Sequence, residues 1–216
     1  MSDASYLAHL RTEYRQASLD IADVAADPVV QFEVWFQQAI EAVGNDANAM
    51  HLATASANGR PSGRMVLLKE YDHRGLSFYT NYQSRKAQHL EVNPHAALTF
   101  FWKELERQVR VEGLIELVSA GESDAYYHTR PEGARVGAWA SPQSRLIASR
   151  AELERLYREH ESKFMGAEIP RPPHWGGYRL RPVLFEFWQG RESRLHDRIL
   201  YELADDGSWT LGRLAP

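Results

Sequence analysis

Cationic side chains recur in this chain in short, patterned groups. In Arg194-Leu195-His196-Asp197-Arg198 the period of two along a strand predicts Arg194, His196 and Arg198 on one face, with Leu195 and Asp197 on the other. Two guanidiniums and an imidazole on one face make an anion site. Trp188 and Gln189, just upstream, add an aromatic wall and an amide suited to a planar, charged ligand. A solvated edge strand would carry the same pattern. Arg64-Met65-Val66-Leu67-Leu68-Lys69 sets a cation at each end of a strand that reads as buried. Arg85 and Lys86 fall in the first turn of a helix capped by Ser84. Free N–H groups and the helix dipole favour an anion there, so these residues with Tyr79 and Thr80 predict a phosphomonoester cradle. A solvated basic face is the competing reading. Tyr126-Tyr127-His128-Thr129-Arg130 offers hydroxyl and guanidinium groups for a second anion, or forms an ordinary helix end. Gln108, Gln143 and Ser144 have no motif value of their own.

The whole-chain composition narrows what such anions can be. With 216 residues, 44% hydrophobic and 25% charged, the chain has ordinary globular composition, and its net charge of -4 gives no general attraction to nucleic acid. Small anions bound by locally gathered cations fit better. There is no cysteine, hence no disulfide framework and no thiolate chemistry, which suits a reducing cytoplasm. No apolar run reaches the roughly 20 residues of a membrane span, and the start lacks the pattern of a signal peptide. No G-x-G-x-x-G, Walker loop, G-x-S-x-G or H-E-x-x-H occurs, and the nine histidines lack metal-ligand spacing, so no metal is expected. Two anion clusters without a built-in nucleophile or electrophile point to a cofactor that carries the chemistry.

The positioning elements follow from periodicity. Tyr6, Leu7, Leu10 and Tyr14 fall at helical spacing, and residues 1–20 read as a flexible segment before a single domain over 21–216. Asp27-Pro28 starts a helix whose apolar stripe is Phe32, Trp35, Phe36, Ala39, Ile40 and Val43, ending near Gly44. Turn signals then divide residues 50–117 into strands at 50–56, 61–71, 76–81, 96–102 and 108–117, with a short helix after Ser84 through Leu90. Evenly spaced strands suggest an antiparallel barrel. Helices are predicted over 119–128, 134–140 and 151–164, a loop over 169–177, and three last strands at 183–189, 194–203 and 209–214.

Taken in order, Arg64-Met-Val-Leu-Leu-Lys69, Phe78-Tyr-Thr-Asn81, Ser84-Arg-Lys86, Leu105-Glu-Arg-Gln-Val109, Gly137-Ala-Trp139, Gln143-Ser144, Trp175-Gly-Gly177 and Phe185-Glu-Phe-Trp-Gln-Gly190 with Arg194-Leu-His-Asp-Arg198 resemble the pyridoxine/pyridoxamine 5′-phosphate oxidase family. The resemblance is nearly full length. It implies a mainly β, α+β fold, an FMN-binding split β-barrel with peripheral helices, assembled as a homodimer with flavin at the subunit interface.

By the same resemblance, Arg64, Arg85 and Lys86 meet the FMN phosphate with Tyr79, Thr80 and Ser144, and Met65, Val66, Leu67, Leu68 and Lys69 line the cofactor. Gln108, Gln143, Trp188 and Arg198 hold the flavin ring and ribityl chain, some from the partner subunit. Lys69, Tyr126 and Arg130 grip the substrate 5′-phosphate, with Leu195 beside Arg194 and His196 over the pyridine, while Arg11 and Tyr14 close the site. Ala134 stands where the family commonly has a small hydroxyl residue, so one phosphate hydrogen bond is missing or replaced. The implied reaction is oxidation of pyridoxamine and pyridoxine 5′-phosphates to pyridoxal 5′-phosphate, with hydride passing from C4′ to flavin N5 and O2 becoming H2O2. Arg194 and His196 take catalytic roles, orienting substrate and stabilising charge. A flavin- or pyridoxal-phosphate-binding carrier, or a nicotinamide-dependent flavin reductase, would keep the flavin cluster but leave Lys69, Tyr126, Arg130, Arg194 and His196 unexplained as a set.

Overall fold

Asp27 begins the first long helix as its sequence predicts: its carboxylate accepts the Val29 N–H at 2.7 Å and Pro28 follows at the first helical position. The computed structural model describes His9 and residues 13–216. The predicted helical stretch at Tyr6, Leu7 and Leu10 lies outside the described residues, as does Arg11.

The helices are α1 (Pro28–Val43), α2 (Arg85–Val92), α3 (Ala120–Thr129), α4 (Glu132–Ala140) and α5 (Arg150–Phe164). The strands are β1 (Ala49–Ala55), β2 (Pro61–Leu67), β3 (Glu70–Asp72), β4 (Gly75–Asn81), β5 (His95–Trp102), β6 (Arg107–Leu117), β7 (Trp175–Gln189), β8 (Asp197–Leu203) and β9 (Trp209–Arg213). Mostly antiparallel sheet with peripheral helices is the fold class the turn spacing predicts. Among the described residues, no helix is long and apolar enough to cross a membrane.

Two compact units are distinguished. The first holds the described residues up to Asn48 with Thr99–Val111 and Val183–Pro216; the second holds Ala49–Leu98 and Glu112–Pro182. In the first, the apolar stripe of α1 is buried through Phe32, Trp35, Phe36 and Ala39. Phe32 lies 5.2 Å from Phe100 and Trp35 meets Phe187 edge-on at 5.2 Å. Burying each such ring stabilises the unit by about 1.5 to 3 kcal/mol. The C-terminal half of β7 pairs antiparallel with β8 in a register that sets Trp188 opposite Arg198, and β8 pairs with β9.

In the second unit β1 and β2 pair with Leu52 opposite Arg64, and β4 pairs with β7 with Tyr79 opposite Gly177. A side chain at Gly177 would put its Cβ 2.7 Å from Tyr79 Cε1, so glycine is what lets the tyrosine ring lie across the neighbouring strand. Helix α3 opens on a capping box, Ser119 and Glu122 each accepting the other's backbone N–H.

Four local expectations fail. The predicted strand over 61–71 breaks after Leu67, and β2 is not buried: its pattern alternates, leaving Met65 63% and Leu67 47% exposed. Ser84 precedes α2 but makes no side-chain cap; its hydroxyl accepts from Lys86 Nζ at 3.2 Å. Trp175, Gly176 and Gly177 belong to β7 rather than to a loop, since glycines at a close crossing satisfy strand pairing as well as a turn does. Residues 194–196 are not strand. Ser193 and Arg194 have φ of 55° and 62°, and β8 starts only at Asp197, so the alternation expected for Arg194, His196 and Arg198 does not exist.

Candidate active site

A cavity of about 700 Å³ in the second unit is lined by Arg64, Lys69, Lys86 and Arg130, and by no carboxylate among the described residues. Four cations without an acid to neutralise them define an anion site. Strand β2 contributes Arg64, Met65, Val66 and Leu67; Tyr79 and Thr80 come from β4, Lys86 from the first turn of α2, Tyr126 from α3 and Gln143 from the segment after α4.

Arg64 is fixed by protein acceptors. Its Nη1 donates to the Leu52 carbonyl and to Thr54 Oγ1, both at 2.9 Å, and Nη2 donates to Ser62 Oγ at 2.9 Å. Burial, then the charge of Arg85, lowers its pKa from the ordinary value. Lys86 Nζ donates to Gln143 Oε1 at 2.7 Å, Thr80 Oγ1 at 2.9 Å and Ser84 Oγ at 3.2 Å, all neutral groups. Burial, with Arg64 nearby, pulls its pKa down to about 8. An ammonium half-stripped of water and given no carboxylate is poised for an anion.

The other part of the cavity is aromatic. Tyr79 and Tyr126 stack with centroids 4.0 Å apart, and Trp175 continues the stack at 5.7 Å from Tyr79. The Arg130 guanidinium lies 4.6 Å from the centroid of Trp175, and its buried Nη1 has no partner among the described residues. Burial lowers its pKa too. Arg130 thus lines the cavity with a charge that no carboxylate meets there, while its buried Nη1 stays without a hydrogen-bond acceptor.

In the first unit, Tyr14, Trp188 and His196 form an aromatic group. Trp188 is 4.6 Å from His196, and Tyr14 meets Trp188 edge-on at 5.6 Å. His196 Nδ1 accepts the Arg191 N–H at 3.1 Å, which leaves Nε2 to carry the proton. Burial and then Arg194 lower its pKa, with Asp197 opposing, so the ring is held neutral rather than poised to ionise near pH 7. Arg198 donates to Glu186 at 2.8 Å and to the Ala215 carbonyl at 2.7 Å.

With this geometry in hand, the family profile described as pyridoxamine 5′-phosphate oxidase matches residues 36–162, and that of the pyridoxine 5′-phosphate oxidase C-terminal dimerisation region matches residues 175–216. The chain belongs to the pyridoxamine 5′-phosphate oxidase family. It is 58% identical over 210 residues to the pyridoxine/pyridoxamine 5′-phosphate oxidase of Ralstonia pickettii, covering 97% of this chain and 99% of that one. To the oxidase of the same name from Paraburkholderia phymatum it is 57% identical, covering 98% and 100%. Among solved structures, PhzG from Burkholderia lata, crystallised with tetrahydrophenazine-1-carboxylic acid, superposes with a TM-score of 0.87 at 30% identity over 95% of this chain and 100% of that one. A pyridoxamine 5′-phosphate oxidase-related, FMN binding protein from Nostoc punctiforme shares the fold, with a TM-score of 0.70 at 20% identity over 89% and 100%.

Of the residues singled out in this oxidase-family chain from sequence, Arg64, Met65, Val66, Leu67, Lys69, Tyr79, Thr80, Lys86, Tyr126, Arg130 and Gln143 converge on the one cavity. Leu68 is instead buried, at 4% exposure. Arg85 and Ser144 are exposed, Ser144 with φ of 72°, and Ala134 sits in the first turn of α4, where its N–H donates to the Pro131 carbonyl at 2.9 Å. Gln108, Tyr14, Trp188, Arg194, Leu195, His196 and Arg198 belong to the first unit; Arg194 and Leu195 are exposed. Gln189, expected as a ligand amide, is fully buried, donating to the Leu105 and Glu106 carbonyls and accepting from Arg107 at 2.8 Å. Three contributors were not assigned a role from sequence: Trp175 in the cavity wall, and Thr54 and Ser62, which hold Arg64. The tryptophan was legible only as a motif fragment; Ser62 carries no signal beyond strand alternation with Arg64, and Thr54, on the neighbouring strand, carries none.

Proposed function

We propose that this chain oxidises pyridoxamine 5′-phosphate and pyridoxine 5′-phosphate to pyridoxal 5′-phosphate with FMN and O2, as a homodimer. The observation that carries this reading is the cavity lined by four cations and no carboxylate among the described residues, Arg64 acting on Lys86, and Lys69 and Arg130 each lying near Tyr126. Two such groupings suit two phosphate monoesters. The donor chemistry fits FMN: Lys86 is desolvated among neutral oxygens, and Arg64 is held with part of its guanidinium uncommitted. Arg85, one position before Lys86, adds positive charge near Arg64.

FMN held by these residues would supply the two-electron redox chemistry between the substrate's C4′ and O2. The protein's part is placement and charge. Arg64, Arg85 and Lys86 would neutralise the flavin phosphate, with Tyr79, Thr80 and Ser144 beside them, the backbone and side chains from Met65 to Lys69 would line the cofactor, and Gln108, Gln143, Trp188 and Arg198, some of them from the partner subunit, would hold its ring and chain. Arg130, Lys69 and Tyr126 would grip the substrate phosphate, the stack of Tyr79, Tyr126 and Trp175 giving Arg130 a rigid platform. His196, neutral and carrying its proton on Nε2, would donate toward the pyridine rather than act as a base, with Arg194 and Leu195 beside it. Tyr14 and the residues after it, with Arg11, would form the lid ahead of one catalytic domain.

The test is direct. Purified protein is expected to be yellow, to bleach anaerobically on addition of pyridoxamine 5′-phosphate and to recover its colour in air. Flavin that stays oxidised with substrate would turn the reading toward a carrier, and bleaching by a nicotinamide alone toward a reductase.

A further inference from the structure

Arg64 is surrounded by three side chains that nothing in the proposed chemistry uses directly. Thr54, on β1, is 3% exposed; His89, on α2, is 8% exposed; Ser62 lies two residues before Arg64 on β2. We propose that Thr54, Ser62 and His89 are positioning residues that lock the Arg64 guanidinium so that its remaining N–H donors are left for a phosphate monoester. The inference rests on the reading that Arg64 meets the FMN phosphate.

The count of donors carries the argument. An arginine has five N–H groups. Both on Nη1 are given to the Leu52 carbonyl and Thr54 Oγ1, and one on Nη2 goes to Ser62 Oγ. What remains is Nε–H and one Nη2–H, donors on two nitrogens for the oxygens of a phosphate. A guanidinium held at three points presents those donors without losing further rotamer freedom when the ligand arrives.

Thr54 can hold Arg64 only if its own proton has somewhere to go. Its oxygen accepts from Arg64, and its hydroxyl then has two acceptors within reach, His89 Nδ1 at 3.2 Å and the Ser62 carbonyl at 3.5 Å. Donating the Thr54 proton along the shorter contact takes a lone pair on Nδ1, hence a neutral imidazole. The surroundings supply that state: burial first, then Arg85 on the same helix and Arg64 on β2, disfavour the charged ring, with only the Thr54 backbone opposing. A protonated ring could not accept the Thr54 proton, which would be left to the longer contact with the Ser62 carbonyl. His89 therefore orients Thr54, and Thr54 orients Arg64.

The experiment compares FMN with riboflavin, which has the same ring and no phosphate, in fluorescence titrations of the full chain stripped of flavin. Wild-type protein should prefer FMN. Thr54→Val should lose FMN affinity by about tenfold while riboflavin affinity stays as it was, and Thr54→Ser should restore the preference. His89→Phe should shift the ratio in the same direction. Riboflavin binding reports a folded site, and the half-buried Ser62→Ala serves if Thr54→Val does not fold. An FMN-to-riboflavin ratio unchanged in Thr54→Val, or in Ser62→Ala in its place, overturns the inference while leaving the phosphate role of Arg64 standing. A wild-type protein with no preference for FMN removes that role and this inference with it.

Discussion

The ring of Tyr14 lies against Gly190 so closely that a Cβ at position 190 would stand 2.6 Å from Tyr14 Cγ and 2.7 Å from its Cβ. Gly190 ends the run that begins at Phe185, immediately after β7, and it is buried. The near atoms belong to the base of the tyrosine side chain, which cannot swing aside without its backbone. Gly190→Ala is therefore expected to push residues 13–16 off their seat. The KM for pyridoxamine 5′-phosphate should rise about tenfold, with FMN affinity unchanged, if Tyr14 closes over substrate. Steady-state kinetics beside a flavin titration check it, and an unchanged KM would remove Tyr14 from the substrate site.

Glu106 holds the same segment. Its Oε2 accepts the N–H groups of Arg15 at 2.8 Å and Gln16 at 3.0 Å, while its own carbonyl accepts the Gly190 N–H at 2.8 Å. Glu106→Ala leaves two amides without their acceptor and should cost the docked segment about 1 to 3 kcal/mol. Hydrogen exchange at Arg15 and Gln16 is expected to speed up by one to two orders of magnitude, roughly what that energy permits.

How far these features could be read beforehand depends on whether they are local. The start of α1 at Asp27-Pro28 is visible because cap and partner lie within two residues of each other. The cation clusters were visible because residue type alone marks them. The stack of Tyr79, Tyr126 and Trp175 was not, since it needs the pairing of β4 with β7 and the packing of α3, contacts across 47 to 96 residues. Alternation failed at Arg194 for a different reason. Side-chain pattern says nothing about the left-handed φ of Ser193 and Arg194, which a serine and an arginine do not advertise as glycine would.

Lys86 gives a pH dependence with opposite signs for binding and for stability. Its pKa of about 8 in the flavin-free chain lies below the ordinary 10.5. A bound phosphate, already close to dianionic above pH 7, would raise it again. FMN affinity should then fall as pH rises above 8, by at most about tenfold per pH unit. Stability of the flavin-free chain runs the other way: between about 8 and 10.5 the unfolded chain holds the proton that the folded one has lost, so the Lys86 contribution improves as pH rises. Lys86→Met should flatten both trends, measured by flavin titration and by thermal unfolding from pH 7 to 10.

Arg130 should separate function from stability most clearly. Its buried Nη1 has no acceptor among the described residues, and burial disfavours its charge. Such a group costs the folded protein free energy. Arg130→Met keeps the apolar length that packs near Trp175 and removes the stranded donor. Flavin-free protein carrying it is expected to unfold at a temperature several degrees higher, corresponding to about 1 kcal/mol or more. The KM for pyridoxamine 5′-phosphate should rise by about tenfold to a hundredfold, the loss of a charged phosphate contact. Arg130→Lys, which keeps the charge but not the planar fork, should recover only part of the affinity. An arginine retained for structure would give the reverse sign in the melting temperature, because its removal would then strand its partners instead of relieving an unpaired donor. The paired measurement, melting temperature without ligand and KM with it, thus decides whether this guanidinium is kept for the phosphate or for the fold.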